Sequence, residues 1–576
     1  MKKIILFILV ISSSQLFAQN ITTKFEQTKG TQTPTYFEII NWWKNLSIHS
    51  NIVKISSIGN TDAGFPLHVV LISNDKNLTL SSIHKNNKRI ILFNNGIHPG
   101  EPDGIDASML LARDIVTKKY HLPDNIILAI IPVYNIGGCL NRSKNFRVDQ
   151  NGPEEFGSRG NAQNLDLNRD FIKCDSRNAR TFAQIFHLLD PDVFVDNHVS
   201  DGADYQHIMT LIASQHNKLG GAMGEFMHNN FEPALYKLMK QKNYDLVPYV
   251  EVFNDTPDKG WSEFWDAPRY SNGYAALFNC FAFTPETHML KPYEIRVKAT
   301  LALEQSFIEF TSVNSEQIKL LRKQAKQNVK IQTEFPIAWK QDSTKFTYIN
   351  FKGYKGLYKT SEVSGLPRLY YDRNQPFEKQ IPYYNYYSPV LEIKKPKAYI
   401  IPQGWWKVIE LLQLNNVKMQ RLKNDTTIQQ IESYKIADYK SSSRPYESHH
   451  PNSNVKIIKT IQPVTFRKGD YYIEMNQEAN RFITEVLEPQ AEDSYFVWNF
   501  FDAILIQKEG FSPYSFEDIA AKYLKENPSI KNELEQKRKA DTTFAKTTYA
   551  QLDFVFKNSP WYEPAHMQYP VYRVLQ

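Results

Sequence analysis

The stretch RIILFNNGIHPGE, residues 89–101, decides the architecture. Its first five residues, Arg89-Ile-Ile-Leu-Phe93, are a short apolar run with no polar alternation, the pattern of a strand buried on both faces. Asn94-Asn-Gly96 ends the run as a turn. Residues 106–116 then read as a helix, with Ala107, Leu110, Leu111 and Ile115 on one face. The same alternation continues outward. Residues 125–131 read as a second strand, 180–189 as a helix, and 192–196 and 275–283 as further strands. Strands alternating with helices over about 35–315 predict an α/β layer structure on a parallel or mixed sheet.

Residues able to do chemistry fall where these strands end. His98 and Glu101, three residues apart at the mouth of the sheet, can face one ion. Zinc accepts imidazole and carboxylate ligands, and a set of two His and one Glu leaves a position for water. Asp196-Asn-His198 directly follows the apolar run Val193-Phe-Val195, so His198 points into the crevice where α/β sheets bind ligands. Asp196 reads either as a cap for that His or as a carboxylate holding an imidazole N–H. In Asn164-Leu-Asp-Leu-Asn-Arg169, the Arg169 fork suits a substrate carboxylate and the Asn168 amide can add donors; pairing of Arg169 with Asp166 or Asp170 is the alternative. Glu286 closes the apolar run Phe281-Ala-Phe-Thr-Pro-Glu286, in the position of a general base beside a dry groove.

The chain order His98…Glu101, Arg147, Asn168-Arg169, His198, Glu286 resembles that of the M14 zinc carboxypeptidases over roughly residues 35–315. The resemblance implies a mixed-sheet α/β/α sandwich and one Zn2+ per chain, held by His98, Glu101 and His198. It implies that Glu286 takes a proton from the attacking water and that Arg147 polarises the scissile carbonyl. Asn168 and Arg169 would grip the C-terminal carboxylate of a peptide substrate. Arg142 competes with Arg147 in the segment Asn141-Arg-Ser-Lys-Asn-Phe-Arg147, and Arg147 is preferred because it follows an aromatic residue. The family's substrate-capping Tyr has no clear counterpart. Trp261, Trp265, Tyr270 and Tyr274 are candidates, with Tyr270 chosen. A zinc amidase acting on peptidoglycan stem peptides or N-acyl amino acids, and a peptide-binding protein without turnover, are the competing readings.

Length and composition bound the rest. A chain of 576 residues exceeds one compact core, and 42% hydrophobic with 22% charged residues is ordinary for a globular protein. The formal charge of +7 is interspersed with acids and forms no phosphate-binding stripe, which excludes nucleic acid as the main partner. Lys2 and Lys3, the apolar run from Ile4 to Ile11 and the sequence ending at Ala18 form a secretory signal pattern. Residues 1–18 are therefore expected to be removed on export to the periplasm or beyond. No later segment is long and apolar enough to span a membrane, which takes about 20 residues. The odd count of three cysteines favours free buried thiols. The expected plan is a catalytic domain over 19–320, a Lys/Gln/Asn-rich linker over 321–345, and a smaller α+β or α/β accessory region over 346–576. His207 is an alternative third ligand with a poorer context than His198, His288 lies two residues past Glu286 where it can support the site, and the pair His449-His450 is expected to be solvated, with weak metal binding the alternative.

Overall fold

The computed structural model describes residues 21–76 and 78–575. The segment 1–18, expected from its sequence to be an export signal, lies outside them. Among the described residues the central sheet has nine strands. They are β1 (Val53–Asn60), β2 (Pro66–Ile72), β3 (Arg89–Asn94), β4 (Ile126–Ile131), β5 (Val193–Asp196), β6 (His198–Ser200), β7 (Met209–Ala213), β8 (Leu246–Pro248) and β9 (Phe281–His288). The order across the sheet is β1-β2-β4-β3-β5-β9-β7-β8, with β6 paired to β9. The centre, β4-β3-β5-β9, is parallel, while β2 joins β4 and β7 joins β9 antiparallel. The sheet is thus mixed, as expected.

Helices cover both faces, which is why β3 and β4 read as unbroken apolar runs. These are α1 (Tyr36–His49), α2 (Asp103–Val116), α3 (Arg177–Leu189) and α4 (Tyr293–Val313). Successive β3 side chains alternate between the two layers. Ile90 and Leu92 pack with Phe182 and Phe186 of α3, whereas Ile91 and Phe93 pack with Leu46 of α1, Leu111 of α2 and Phe307 of α4. Each such fully buried side chain contributes about 1.5–3 kcal/mol. Caps set where the helices begin. Thr35 accepts from the Glu38 N–H and Glu38 reaches back to Thr35 at α1, and Ser176 caps α3.

Three expectations are corrected. Residues 275–283 are not one strand: 271–277 are helical and β9 starts at Phe281, because the run of small residues before Leu277 closes a helical turn against the sheet. Nor are residues 321–345 a linker. Helix α5 (Ser315–Ile331) runs through them, burying Ile318, Leu321, Arg322 and Val329, and a strand follows at Glu334–Gln341. The Lys- and Gln-rich composition is the solvated face of that helix. The second half also shares its core with the first. Leu411, Leu412, Phe482 and Trp498 belong to the same continuous apolar cluster as Phe182 and Phe186. These residues surround a six-stranded sheet containing Ala398–Ile401 and Tyr572–Val574. The final helices, from Pro513 to Lys557, carry a small cluster of their own around Phe516, Leu534 and Phe556, and Ala398, Ile400, Ile431, Phe466 and Val574 form another.

Cys139, Cys174 and Cys280 are free and buried, as expected. Among the described residues no helix is long and apolar enough to cross a membrane.

Candidate metal centre

Three adjacent parallel strands deliver the site. His98 and Glu101 follow β3, His198 opens β6 just beyond β5, and Glu286 lies in β9 directly opposite His198 in register. A tight turn, with the Glu101 N–H on the His98 carbonyl at 2.8 Å, brings the first two side chains to one side. His98 Nδ1 is 3.3 Å from Glu101 Oε1, and His198 Nδ1 is 3.1 Å from Glu101 Oε2. One donor atom from each of the three buried residues lies within 4.8 Å of the others.

The outer nitrogens explain the orientation. His98 Nε2 is 2.8 Å from Asp166 Oδ1, and His198 Nε2 is 3.1 Å from Asp196 Oδ2. Each carboxylate holds an Nε2–H, which turns both Nδ1 atoms toward Glu101. The buried His98 Nδ1 has no partner in hydrogen-bond geometry, although Glu101 is close. A ligand nitrogen with nothing else to bind, beside a second imidazole and a carboxylate, fits a zinc ion. The floor is equally constrained: a Cβ at Gly104 would lie 2.4 Å from Asn95 Oδ1 and 2.5 Å from Asn197 Cβ, so only glycine lets α2 approach.

A cavity of about 300 Å³ opens over these groups. Its walls include Arg147, Arg159, Asn168, Arg169, Tyr270 and Glu286. Glu286 has no protein partner for its carboxylate among the described residues, and burial, reinforced by Glu101 and opposed by His198, pushes its carboxyl up to about 8. A cation among the three ligands would draw that value down. Asp166 behaves oppositely. Burial alone would raise it, but His98, Arg159 and Arg169 hold its carboxyl well below the usual range. Although burial disfavours its charge, the Asp196 carboxylate raises the His198 imidazole well above its ordinary value, so metal must displace a proton there.

The structure lines one cavity with His98, Glu101, His198, Glu286, Arg147, Asn168, Arg169 and Tyr270, and adds others; Arg142 instead bonds the Thr33, Pro34 and Glu155 carbonyls. Arg147 Nη1 is 2.7 Å from Glu101 Oε1 and its Nη2 is 3.3 Å from the Val199 carbonyl. Arg159, not anticipated, is 48% exposed at the cavity and donates from Nε to Asp166 Oδ2 at 3.0 Å. Its sequence signal is faint: an arginine near two glycines, Gly157 and Gly160, upstream of the Asn168-Arg169 pair. Asn168 Oδ1 is buried without a partner. Tyr270 lies against the Arg169 guanidinium, 4.5 Å from its ring centroid. Trp261 and Tyr274 are core residues, and Trp265 donates to Glu492 instead.

The remaining histidines lie elsewhere. His207 bonds the Asp245 carbonyl and the Lys352 N–H, and His288 bonds the Ala203 carbonyl. His449 is not simply solvated: its Nε2 is 2.8 Å from Asp175, because the loop carrying it folds back onto the catalytic half.

An α/β sheet thus places two imidazoles and a carboxylate that could hold a metal ion, with a free acid beside them, around one cavity at its strand ends. Residues 39–229 match the zinc carboxypeptidase model of the M14 peptidases. The match includes His98, Glu101, Arg147, Asn168, Arg169 and His198, while Glu286 lies beyond it. Carboxypeptidase 2 of Trichophyton rubrum is 18% identical over 418 residues, 69% of this chain and 72% of that protein. Among solved structures, carboxypeptidase A from Helicoverpa armigera is 14% identical, with a TM-score of 0.39 over 53% of this chain and 82% of its own. A metallo-carboxypeptidase from Pseudomonas aeruginosa is 14% identical, with a TM-score of 0.36 over 48% and 69%.

Proposed function

We propose that the protein is an exported zinc carboxypeptidase that removes residues from the C-termini of peptides. The observation that carries this reading is the single cavity lined at once by His98, Glu101, His198, the unpaired Glu286 carboxylate and the Asn168-Arg169 pair. Export rests on the 1–18 signal pattern. Residues His98, Glu101 and His198 would hold the zinc. When bound, the ion supplies Lewis acidity that acidifies water and polarises a carbonyl.

The chain's own groups do the rest. Arg169 receives the substrate's terminal carboxylate. Its Nη1 donates to the Asn168 carbonyl, and Nη2 has no protein acceptor among the described residues. Asn168 and Tyr270 frame that position. Glu286 takes a proton from the attacking water as oxygen bonds to the scissile carbon. It returns the proton to the amine as the C–N bond breaks. Arg147 was the sequence-derived candidate for polarising the carbonyl, but its guanidinium is spent on Glu101 and the Val199 carbonyl. Arg159 also pairs, with Asp166 through Nε and Nη2, but its side chain is 48% exposed over the cavity against 19% for Arg147, and we assign it that role; a well-aimed donor contributes about 3–4 kcal/mol there. A free Glu286 carboxylate disfavours a binding protein without turnover, since an uncompensated buried acid is costly.

The test is release of amino acids from a peptide library, with and without a chelator. Chelator-sensitive release of single C-terminal residues is expected. Release unaffected by metal removal, or cleavage indifferent to a free C-terminal carboxylate, would refute the reading.

A further inference from the structure

We infer that the second half of the chain completes the substrate-recognition site, with Tyr446 acting as a positioning residue for Arg169. The inference rests on the carboxypeptidase reading above. The loop between the strands Thr426–Ser441 and Asn452–Phe466 leaves its own sheet and lies on the segment that carries Asn168 and Arg169. Two hydrogen bonds fasten it there. Arg169 Nε donates to the Tyr446 hydroxyl at 3.0 Å, and the Asp166 N–H donates to Glu447 Oε2 at 2.8 Å.

The geometry leaves Arg169 little freedom. Tyr446 takes Nε, the Asn168 carbonyl takes Nη1, and the Tyr270 ring lies against the guanidinium at 4.5 Å. With Nε and one Nη1 hydrogen engaged, the remaining donors lie on the Nη side of the fork, which limits the direction from which a carboxylate can approach. Tyr446 is absent from the cavity wall, so it acts through Arg169 rather than on substrate.

The loop is itself anchored. The Tyr446 ring stacks on Trp498 at 6.1 Å, and His449 Nε2 lies 2.8 Å from Asp175. Trp498 in turn lies under the cations of Lys173 and Arg269, and Arg269 pairs with Asp493 at 2.8 Å. Glu447 and Ser448 both adopt left-handed backbone, φ 48° and 66°, which non-glycine residues rarely take unless held. A surface loop strapped from several sides onto one arginine is suited to ordering that arginine before substrate arrives.

Tyr446→Phe in the full-length zinc-loaded enzyme removes the hydroxyl and keeps the ring on Trp498. Hydrolysis of a peptide with a free C-terminal carboxylate should show KM raised about tenfold with kcat nearly unchanged, as losing one hydrogen bond to a charged group predicts. In an Arg169→Ala background, Tyr446→Phe should add nothing. A Tyr446→Phe enzyme with wild-type KM, while Arg169→Ala raises KM, overturns this inference alone. Arg169→Ala with wild-type KM would overturn the carboxylate clamp and this inference together. A Tyr446→Phe effect on kcat and KM that persists in the Arg169→Ala background would show a general structural role and likewise overturn it.

Discussion

Replacing Asp166 by Asn should loosen the metal while leaving the fold intact. Asp166 is the hinge of the site's electrostatics. Its Oδ1 lies 2.8 Å from His98 Nε2 and accepts the Asn168 N–H at 2.9 Å. Its Oδ2 receives Arg159 through Nε at 3.0 Å and Nη2 at 2.9 Å. An Asn side chain has the same shape but one acceptor and one donor. Whichever way it turns, its NH2 meets the His98 Nε2–H or the Arg159 fork, so at least one charge-assisted hydrogen bond is lost. Such a bond is worth about 1.5–3 kcal/mol. If the amide faces His98, the tautomer that aims Nδ1 inward is no longer favoured. Removing a carboxylate behind a ligating His typically costs about 10–100-fold in metal affinity, or about 1.4–2.7 kcal/mol, which matches the loss of one such bond. Competition against a chromophoric chelator measures the zinc Kd directly, and far-UV circular dichroism checks the fold. The expected result is a Kd weakened about 10–100-fold with an unchanged spectrum. A Kd within threefold of wild type would show that Asp166 does not orient His98, and the account of the converging Nδ1 atoms would fail.

Two further outcomes follow from the same site. Glu286→Gln should retain zinc and lose about 10²–10⁴-fold in kcat, measured by single-turnover hydrolysis; full activity would remove Glu286 as the base. Buried Glu304, whose Oε1 receives the Ser108 hydroxyl at 2.6 Å, has its carboxyl pushed by burial from 4.5 up to about 8. The folded chain then holds a proton that the unfolded chain releases, so stability falls as pH rises between those two values, by about 1.4 kcal/mol per unit at most. Glu304→Gln removes that slope. Its thermal midpoint should gain on wild type from pH 5 to pH 8, whereas a constant difference would contradict the assignment.

How far the sequence could be read depended on whether the information was local. The strands β3, β4 and β5 announce themselves because both faces are buried and no polar residue interrupts them. His98, Glu101 and His198 were legible because strand ends in an α/β sheet open on one crevice. Their order along the chain resembles the M14 pattern, and the structure does bring their donor atoms together. The 321–345 segment misled because a helix with one buried stripe and a Lys/Gln-rich outer face has the composition of a linker. Residues 275–283 misled because small and aromatic residues suit either a closing helical turn or a strand. Arg159 and Tyr446 were out of reach for a different reason. Arg159 gains its place from a pairing with Asp166, and Tyr446 meets Arg169 across 277 residues of chain. No periodicity encodes a contact of that kind. The same holds for the core shared by the two halves, where Phe182 and Phe482 join one cluster from distant segments.

The central claim is a zinc ion gripped by His98, Glu101 and His198, and X-ray absorption at the zinc edge of the purified full-length protein tests it most directly. The account predicts one zinc per chain, with two imidazole nitrogens and oxygen ligands at about 2.0–2.2 Å. Sulfur scattering near about 2.3 Å, or a spectrum lacking paired imidazoles, would contradict it.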